Sequence, residues 1–157
     1  MQAASVSEIK KQVNNLSKAD LMDLCLRLSK FKKENKELLT YLLFEAQNEH
    51  QYIENCKAEI DFQFSNINKS NIFFAKKSIR KILRLVVKFS RYSSIAETEI
   101  DLRIFYCHQL LASKIPFKQH PALNNLYNNQ VEKIEKLVAD LHPDLQYDYQ
   151  KQIEKIK

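Results

Sequence analysis

The chain has 157 residues, a net charge of +6 and no glycine at all. An average chain of this length contains roughly eleven glycines, and their absence disfavours every fold that needs a positive φ at tight hairpins or phosphate-cradling loops. P-loops, Rossmann fingerprints, nucleophile elbows and small β-barrels are therefore close to excluded. With three prolines and 28% charged residues, the composition predicts a single all-helical domain spanning residues 1–157.

The positive charge is concentrated in one segment of the chain. Residues 1–61 carry nine basic and ten acidic side chains, and residues 97–157 carry eight and nine. Residues 62–96 carry eight basic side chains and no acidic one, so this segment alone has a net charge of +8. Any surface that selects an anionic partner is therefore expected here.

The spacing of apolar residues predicts seven or eight helices. Ser5 or Ser7 is expected to cap the first helix, and Ser17 the second. The polar run 32–35 is predicted to be a turn before a third helix. A fourth helix is predicted over about 48–64, with no strong breaker separating it from the third.

The second half of the chain has clearer helix boundaries. A fifth helix is expected from about Asn71 to Ser90, and Ser94 with Glu97 predicts a capping box that begins a sixth helix. Pro121 and Pro143 suit the first turns of the last two helices. Short polar turns predict antiparallel neighbours, as in a multi-helix bundle; a short HEAT-like stack of helical hairpins is the alternative.

The fifth predicted helix has one cationic side. At 100° per residue with Ile72 as the origin, six basic residues fall between about 80° and 180°, and Lys76 lies just outside this arc. The remaining faces hold Ile79, Ile82, Leu83, Leu85, Val86 and Phe89. We call the six residues the basic face: Lys77, Arg80, Lys81, Arg84, Lys88 and Arg91.

Three interpretations of the basic face compete. Its C-terminal half is neutralised by the next helix if Arg84, Lys88 and Arg91 pair with acidic residues at 97, 99 and 101. Alternatively, the basic face binds nucleic-acid phosphates, with Phe73 and Tyr92 as the candidates for base contacts. The third interpretation is docking on an acidic protein or an anionic membrane.

Catalytic and metal-binding motifs are weak. None of the four histidines has a glutamate three residues before it, as the di-metal sites of helical bundles require. Two groups share a helix face and are the candidate ligands of an alternative metal-binding function, in a metal protein or a bundle enzyme: Glu97, Asp101 and His108, and the pair Glu45 and Glu49. Adjacent residues on a helix point about 100° apart, so Cys107 and His108 have poor geometry for a nucleophile and its base.

The sequence gives three indications of location. The N-terminus MQAASVSEIKKQ lacks the apolar run of a signal peptide, and the longest apolar stretch, Leu38 to Phe44, is far too short to span a membrane. Cys25, Cys56 and Cys107 form no CxxC motif, and their apolar surroundings predict buried, reduced thiols. We therefore expect a cytoplasmic protein.

The many aromatic residues cannot all be buried, so self-association through an aromatic surface patch is a further expectation that stays open.

Two stretches carry a resemblance to a known group of proteins. KENKELLTYLLFEA (Lys33 to Ala46) and KFSRYSSIAETEIDLRIFYC (Lys88 to Cys107) resemble a family of small, uncharacterised all-helical bacterial proteins. The resemblance implies a helical stand-alone protein and brings no activity, cofactor or site residue. The sequence thus favours a non-catalytic binding or scaffold protein without a cofactor, whose basic face contacts an acidic partner or a nucleic-acid backbone.

Overall fold

A computed structural model describes residues 2–157, and over that range the protein is all-α, as predicted. Eight α-helices follow one another in the described chain, with a π-helical turn at Tyr41–Glu45 and a 3₁₀ turn at Phe117–Gln119. The helices are α1 (Val6–Val13), α2 (Lys18–Phe31), α3 (Lys33–Thr40), α4 (Glu49–Ser65), α5 (Ile72–Ser93), α6 (Ala96–Ala112), α7 (Pro121–Ala139) and α8 (Pro143–Glu154).

Local sequence signals explain most of the helix starts. The Ser5 side chain accepts from the backbone of Glu8 and Glu8 bonds back, which completes a capping box at α1. Ser17 caps α2, and Pro121 and Pro143 occupy the first turns of α7 and α8, as expected. The predicted turn at 32–35 is wrong, because the single extended residue Lys32 separates α2 from α3.

The chain divides into two compact units. The first ends at Phe44, and the second is Glu45–Lys157. In the first unit α2 packs on α3, and the Asn35 amide donates to the carbonyl of Leu28 at 2.9 Å. Among its described residues only Tyr41 is buried. The assignment of the whole chain to one domain stays a prediction.

The second unit holds the core, which is built around α6. This helix packs on α4, α5 and α7, and α8 packs on α7. Because its partners surround it, α6 is buried on most of its circumference and has lost the one-sided pattern of a surface helix. The fully buried residues include Ile60, Ile100, Tyr106 and Leu123.

One charged side chain is buried inside this unit. Arg103 is 7% exposed, and its Nε donates to Glu99 Oε1 at 2.8 Å. Its Nη1 donates to Gln130 on α7. A buried guanidinium needs such partners, since an unpaired buried charge is strongly destabilising. The network therefore fixes α6 against α7.

No helix within residues 2–157 has both the length and the apolar character needed to cross a membrane.

Two residues take the backbone conformation that glycine normally supplies. Ser94 and Lys114 each have φ of 58°, which follows α5 in one case and α6 in the other. Ser94 is the left-handed C-cap of α5, so the predicted capping box of Ser94 with Glu97 is wrong and Ile95 precedes α6 instead. A left-handed conformation costs a non-glycine residue about 1–2 kcal/mol.

We predict that Lys114→Gly raises the free energy of unfolding by about 0.5–1 kcal/mol. The substitution removes the backbone strain at this exposed position, which stabilises the folded protein. Glycine also raises the conformational entropy of the unfolded chain, which offsets part of that stabilisation. Urea denaturation measures the difference. Lys118→Gly is the matched control, since Lys118 is also exposed but has no positive φ; equal losses of stability in both variants would contradict the prediction.

Candidate functional site

The candidate site is the outer side of α5. The buried residues of this helix include Ala75, Ile79, Ile82 and Val86, which lie at about 280–340° on the helical wheel. The basic face is centred near 130° on the same wheel, so it lies on the opposite side. Burial of the apolar side therefore turns the basic face to solvent.

Two tyrosine hydroxyls fix this rotation of α5. Tyr52 of α4 donates to the carbonyl of Phe89 at 2.9 Å, and Tyr106 of α6 donates to the carbonyl of Ile79 at 3.3 Å. Both tyrosines are buried, and a buried hydroxyl without a partner would be destabilising. The two bonds hold α5 at positions ten residues apart along the helix.

Five of the six residues of the basic face are exposed: Lys77, Arg80, Lys81, Arg84 and Arg91. Among residues 2–157, none of the five has an acidic side chain within 4.0 Å. Successive members are one to seven residues apart in the sequence, and pairs separated by three or four residues repel each other by a few tenths of a kcal/mol per pair. A bound anion would relieve that repulsion.

Lys88 differs from the other five. It is half-buried, and its ammonium lies 5.6 Å from the centre of the Phe89 ring and 5.9 Å from that of Tyr92. Both distances are within the range of cation–π contacts. Lys88 is thus partly held by its own helix, and Tyr92, a predicted base-contacting residue, is engaged with it.

The predicted pairing of the basic face with α6 is not formed by Arg84 or Arg91. Glu99 instead pairs with Arg103 of its own helix, with Nη2 to Oε1 at 2.6 Å. Asp101 accepts a hydrogen bond from the Tyr149 hydroxyl of α8. Both acids thus have partners on α6 or α8.

A groove of about 410 Å³ lies beside the C-terminal end of α5. Arg91 and Ser94 line it, together with Ile95, Glu99 and Leu137. Its lining combines one cation with one carboxylate and apolar groups, so the uniform positive charge of the outer side of α5 does not extend into it.

The candidate metal ligands do not form a cluster. Within the part of the chain that the structure describes, no three His, Cys, Asp or Glu side chains lie together in a way that could hold a metal ion. Oε1 of Glu49 accepts from Ser93 and from Thr98, each at 2.5 Å, and so joins α4 to the ends of α5 and α6. Glu49 therefore has a structural use.

The cysteines have two different environments. All three are free; Cys56 and Cys107 are buried, as predicted, whereas Cys25 is exposed and the prediction for it is wrong. Burial raises the pKa of Cys56 and of Cys107 to about 12. A thiol at such a pKa stays protonated near neutral pH and is a poor nucleophile.

Large apolar side chains are also exposed to solvent on α2 and α5. Phe31 is 76% exposed and Leu28 is 52% exposed, both on α2. On α5, Phe73 and Phe74 are 69% and 52% exposed. Phe73 is a predicted candidate for base contacts, whereas Phe74, which lies near 200° on the wheel like Tyr92, belongs to the aromatic residues for which the sequence leaves a surface patch open.

Comparison with known proteins adds no further constraint. No protein-family model, curated protein or solved structure matches this chain. The surface of α5 is therefore the basis of the function proposed below.

We predict that Asp101→Asn changes how stability depends on pH. Burial raises the pKa of Asp101, and Glu97 and Glu54 raise it further, while the Tyr149 hydroxyl and Lys57 lower it. The folded protein thus holds this proton more tightly than the unfolded chain, whose pKa is about 3.9, and ionisation lowers stability as the pH rises through the folded pKa.

The stability of Asp101→Asn relative to the wild type should therefore increase as the pH is raised from 4 to 7. Urea denaturation across this range measures the difference. Asp148→Asn is the control at an exposed position of α8 and should show no such trend. A relative stability that falls with rising pH would contradict the sign.

Proposed function

We propose that this protein is a non-catalytic binding protein whose basic face contacts a nucleic-acid backbone. The observation that carries the proposal is the row of five exposed cations without acidic partners, described above. From Lys77 to Arg91 the row extends over about 21 Å of helix axis.

The length of the row and its single sign of charge favour an extended polyanion as the partner. A nucleic-acid strand presents one phosphate for about every 3.4 Å of duplex axis. Lysine and arginine side chains reach several such phosphates from one straight helix, and arginine does so with two parallel hydrogen bonds.

The binding is proposed to be driven by charge. Side chains that hydrogen-bond to base edges specify sequence, whereas contacts to phosphates position the partner without reading it. The basic face contains only lysine and arginine, with no asparagine or glutamine among them. We therefore infer that the protein binds without strong sequence preference. Its three free cysteines agree with a place in the reducing cytoplasm.

The substitution of Lys77, Arg80 and Lys81 by Glu tests the proposal. We expect binding of a random 20-nucleotide DNA, as duplex or as single strand, to weaken by roughly a hundredfold or more near 0.1 M salt. With five phosphate contacts, the slope of log K against log salt concentration for the duplex is about −4.5 in the wild type, and it falls to about −2 when two contacts remain. Fluorescence anisotropy of labelled DNA measures both quantities.

A matched variant separates the basic face from net charge. Lys118, Lys133 and Lys136 are exposed in the same unit but lie outside α5, and their replacement by Glu makes the same change in net charge. This control should lose far less affinity. The proposal fails if neither DNA binds at low salt, if both variants behave alike, or if a poly-glutamate peptide binds more tightly than DNA.

A further inference from the structure

Two adjacent phenylalanines are exposed at the start of α5. Phe73 and Phe74 are 69% and 52% exposed, and their rings meet edge to face with centres 6.1 Å apart. Large apolar side chains of this kind are normally withdrawn from water, since burying one stabilises a protein by about 1.5–3 kcal/mol. The position of the pair relative to the basic face indicates a use for it.

The two rings extend the basic face at its N-terminal end. On the helical wheel Phe73 lies near 100°, inside the cationic arc, and Phe74 lies near 200°, just beyond Lys81. Lys77 follows one turn later on the same side. The backbone here is ordered by the cap, because Asn71 Oδ1 accepts from the amide of Phe73 at 2.7 Å. The rings therefore stand on a fixed first turn.

This combination distinguishes between forms of nucleic acid. A duplex keeps its bases stacked inside and presents phosphates, so the cations alone satisfy it. A single strand also offers the flat faces of unpaired bases, which stack on aromatic side chains with little dependence on sequence. Exposed rings in line with a row of cations match the second case.

The dimensions agree with a short single strand. Eighteen residues separate Phe73 from Arg91, which corresponds to about 27 Å of helix axis. At a stacked spacing of about 3.4 Å per nucleotide, this length covers roughly eight nucleotides. Single-strand binding domains commonly contact between about 4 and 16 nucleotides.

We propose that the outer side of α5 is a site for single-stranded nucleic acid, in which Phe73 and Phe74 stack on bases while the basic face binds the adjoining phosphates. This inference rests on the proposed function. The apolar side of α5 that a membrane-surface helix would insert is buried in the bundle, so anionic lipid is an outcome of the test and not the proposal.

The test compares three probes with the intact chain. They are a 12-nucleotide single-stranded DNA of thymidines, a 12-base-pair duplex, and vesicles containing phosphatidylserine. Substitution of Phe73 and Phe74 by Ala should weaken single-strand binding by roughly thirtyfold or more, because stacking of two bases is lost and each contributes at least about 1 kcal/mol. Duplex binding should change by less than about twofold, and the salt dependence should not change, because no charge is removed.

A matched control removes exposed side chains elsewhere in the same unit. Leu145 and Tyr147 of α8 are 38% and 66% exposed, and their replacement by Ala should leave single-strand binding unchanged. Circular dichroism of both double variants checks that the helices are retained. An equal loss in the two variants would overturn the proposal.

A tryptophan at position 73 gives a direct signal. The chain contains no tryptophan, so the fluorescence of Phe73→Trp reports this position alone. Quenching on addition of the single strand, with affinity at least equal to the wild type, is the expected result of stacking. Unchanged fluorescence at saturation would overturn it.

Further outcomes distinguish failure of the single-strand site from failure of the proposed nucleic-acid binding by the basic face. Equal affinity for duplex and single strand, with no effect of the alanine substitutions, overturns the single-strand site and leaves the binding of nucleic acid by the basic face intact. Tighter binding to the vesicles than to either DNA overturns both. Loss of DNA binding in the alanine variant together with a change from dimer to monomer by sedimentation assigns the rings to self-association and overturns the site.

Discussion

The arrangement of the second unit depends on how α5 is buried. Its apolar side packs against α4 and α6, and the hydroxyls of Tyr52 and Tyr106 bond to its backbone at Phe89 and Ile79. A rotation by one residue would break these two bonds and turn buried isoleucines toward water. Core formation and the outward direction of the basic face are therefore one and the same constraint.

Two acidic residues of α6 have partners within the second unit. Glu99 is paired with the buried Arg103, and Asp101 with Tyr149 of α8. Each has a partner whose burial makes separation costly. These carboxylates consequently remain with the bundle, and the exposed charge of α5 has no compensation within the part of the chain that the structure describes. A cationic surface that the fold itself does not neutralise is what gives the proposed function its physical basis.

The all-helical fold, most helix starts and the cationic side of α5 could be predicted from the sequence, because these features follow from periodicity and capping. The predictions were wrong where contacts between residues far apart in the sequence determine the local structure. The pattern of Ser94 with Glu97 fits a capping box as well as it fits the end of the preceding helix; in the structure α5 continues to Ser93, whose side chain bonds to Glu49, 44 residues away. The pairing of Glu99 with Arg103 likewise competes with Arg91 and cannot be read from local spacing.

The absence of glycine affects both how an anion can be bound and how the helices end. It excluded backbone phosphate cradles, and any anion must therefore be held mainly by side chains or helix N-termini. The fold nevertheless needs left-handed residues after α5 and α6, and it places Ser94 and Lys114 there. Leu24, Leu28 and Phe31 recur along α2 at helical spacing, which predicts a buried side. Phe31 is nevertheless largely exposed, because periodicity identifies an apolar side without identifying what covers it.

We propose that this protein meets its partner at the outer side of α5. The most direct test of this proposal is an NMR titration of the ¹⁵N-labelled protein with the 12-nucleotide single strand, following every backbone amide. We expect the largest chemical-shift changes between Phe73 and Arg91, at exposed positions such as Lys77 and Arg84, and no change in the amide signals of α7 and α8. Shifts centred on any other helix, or none along α5 at saturation, would contradict it.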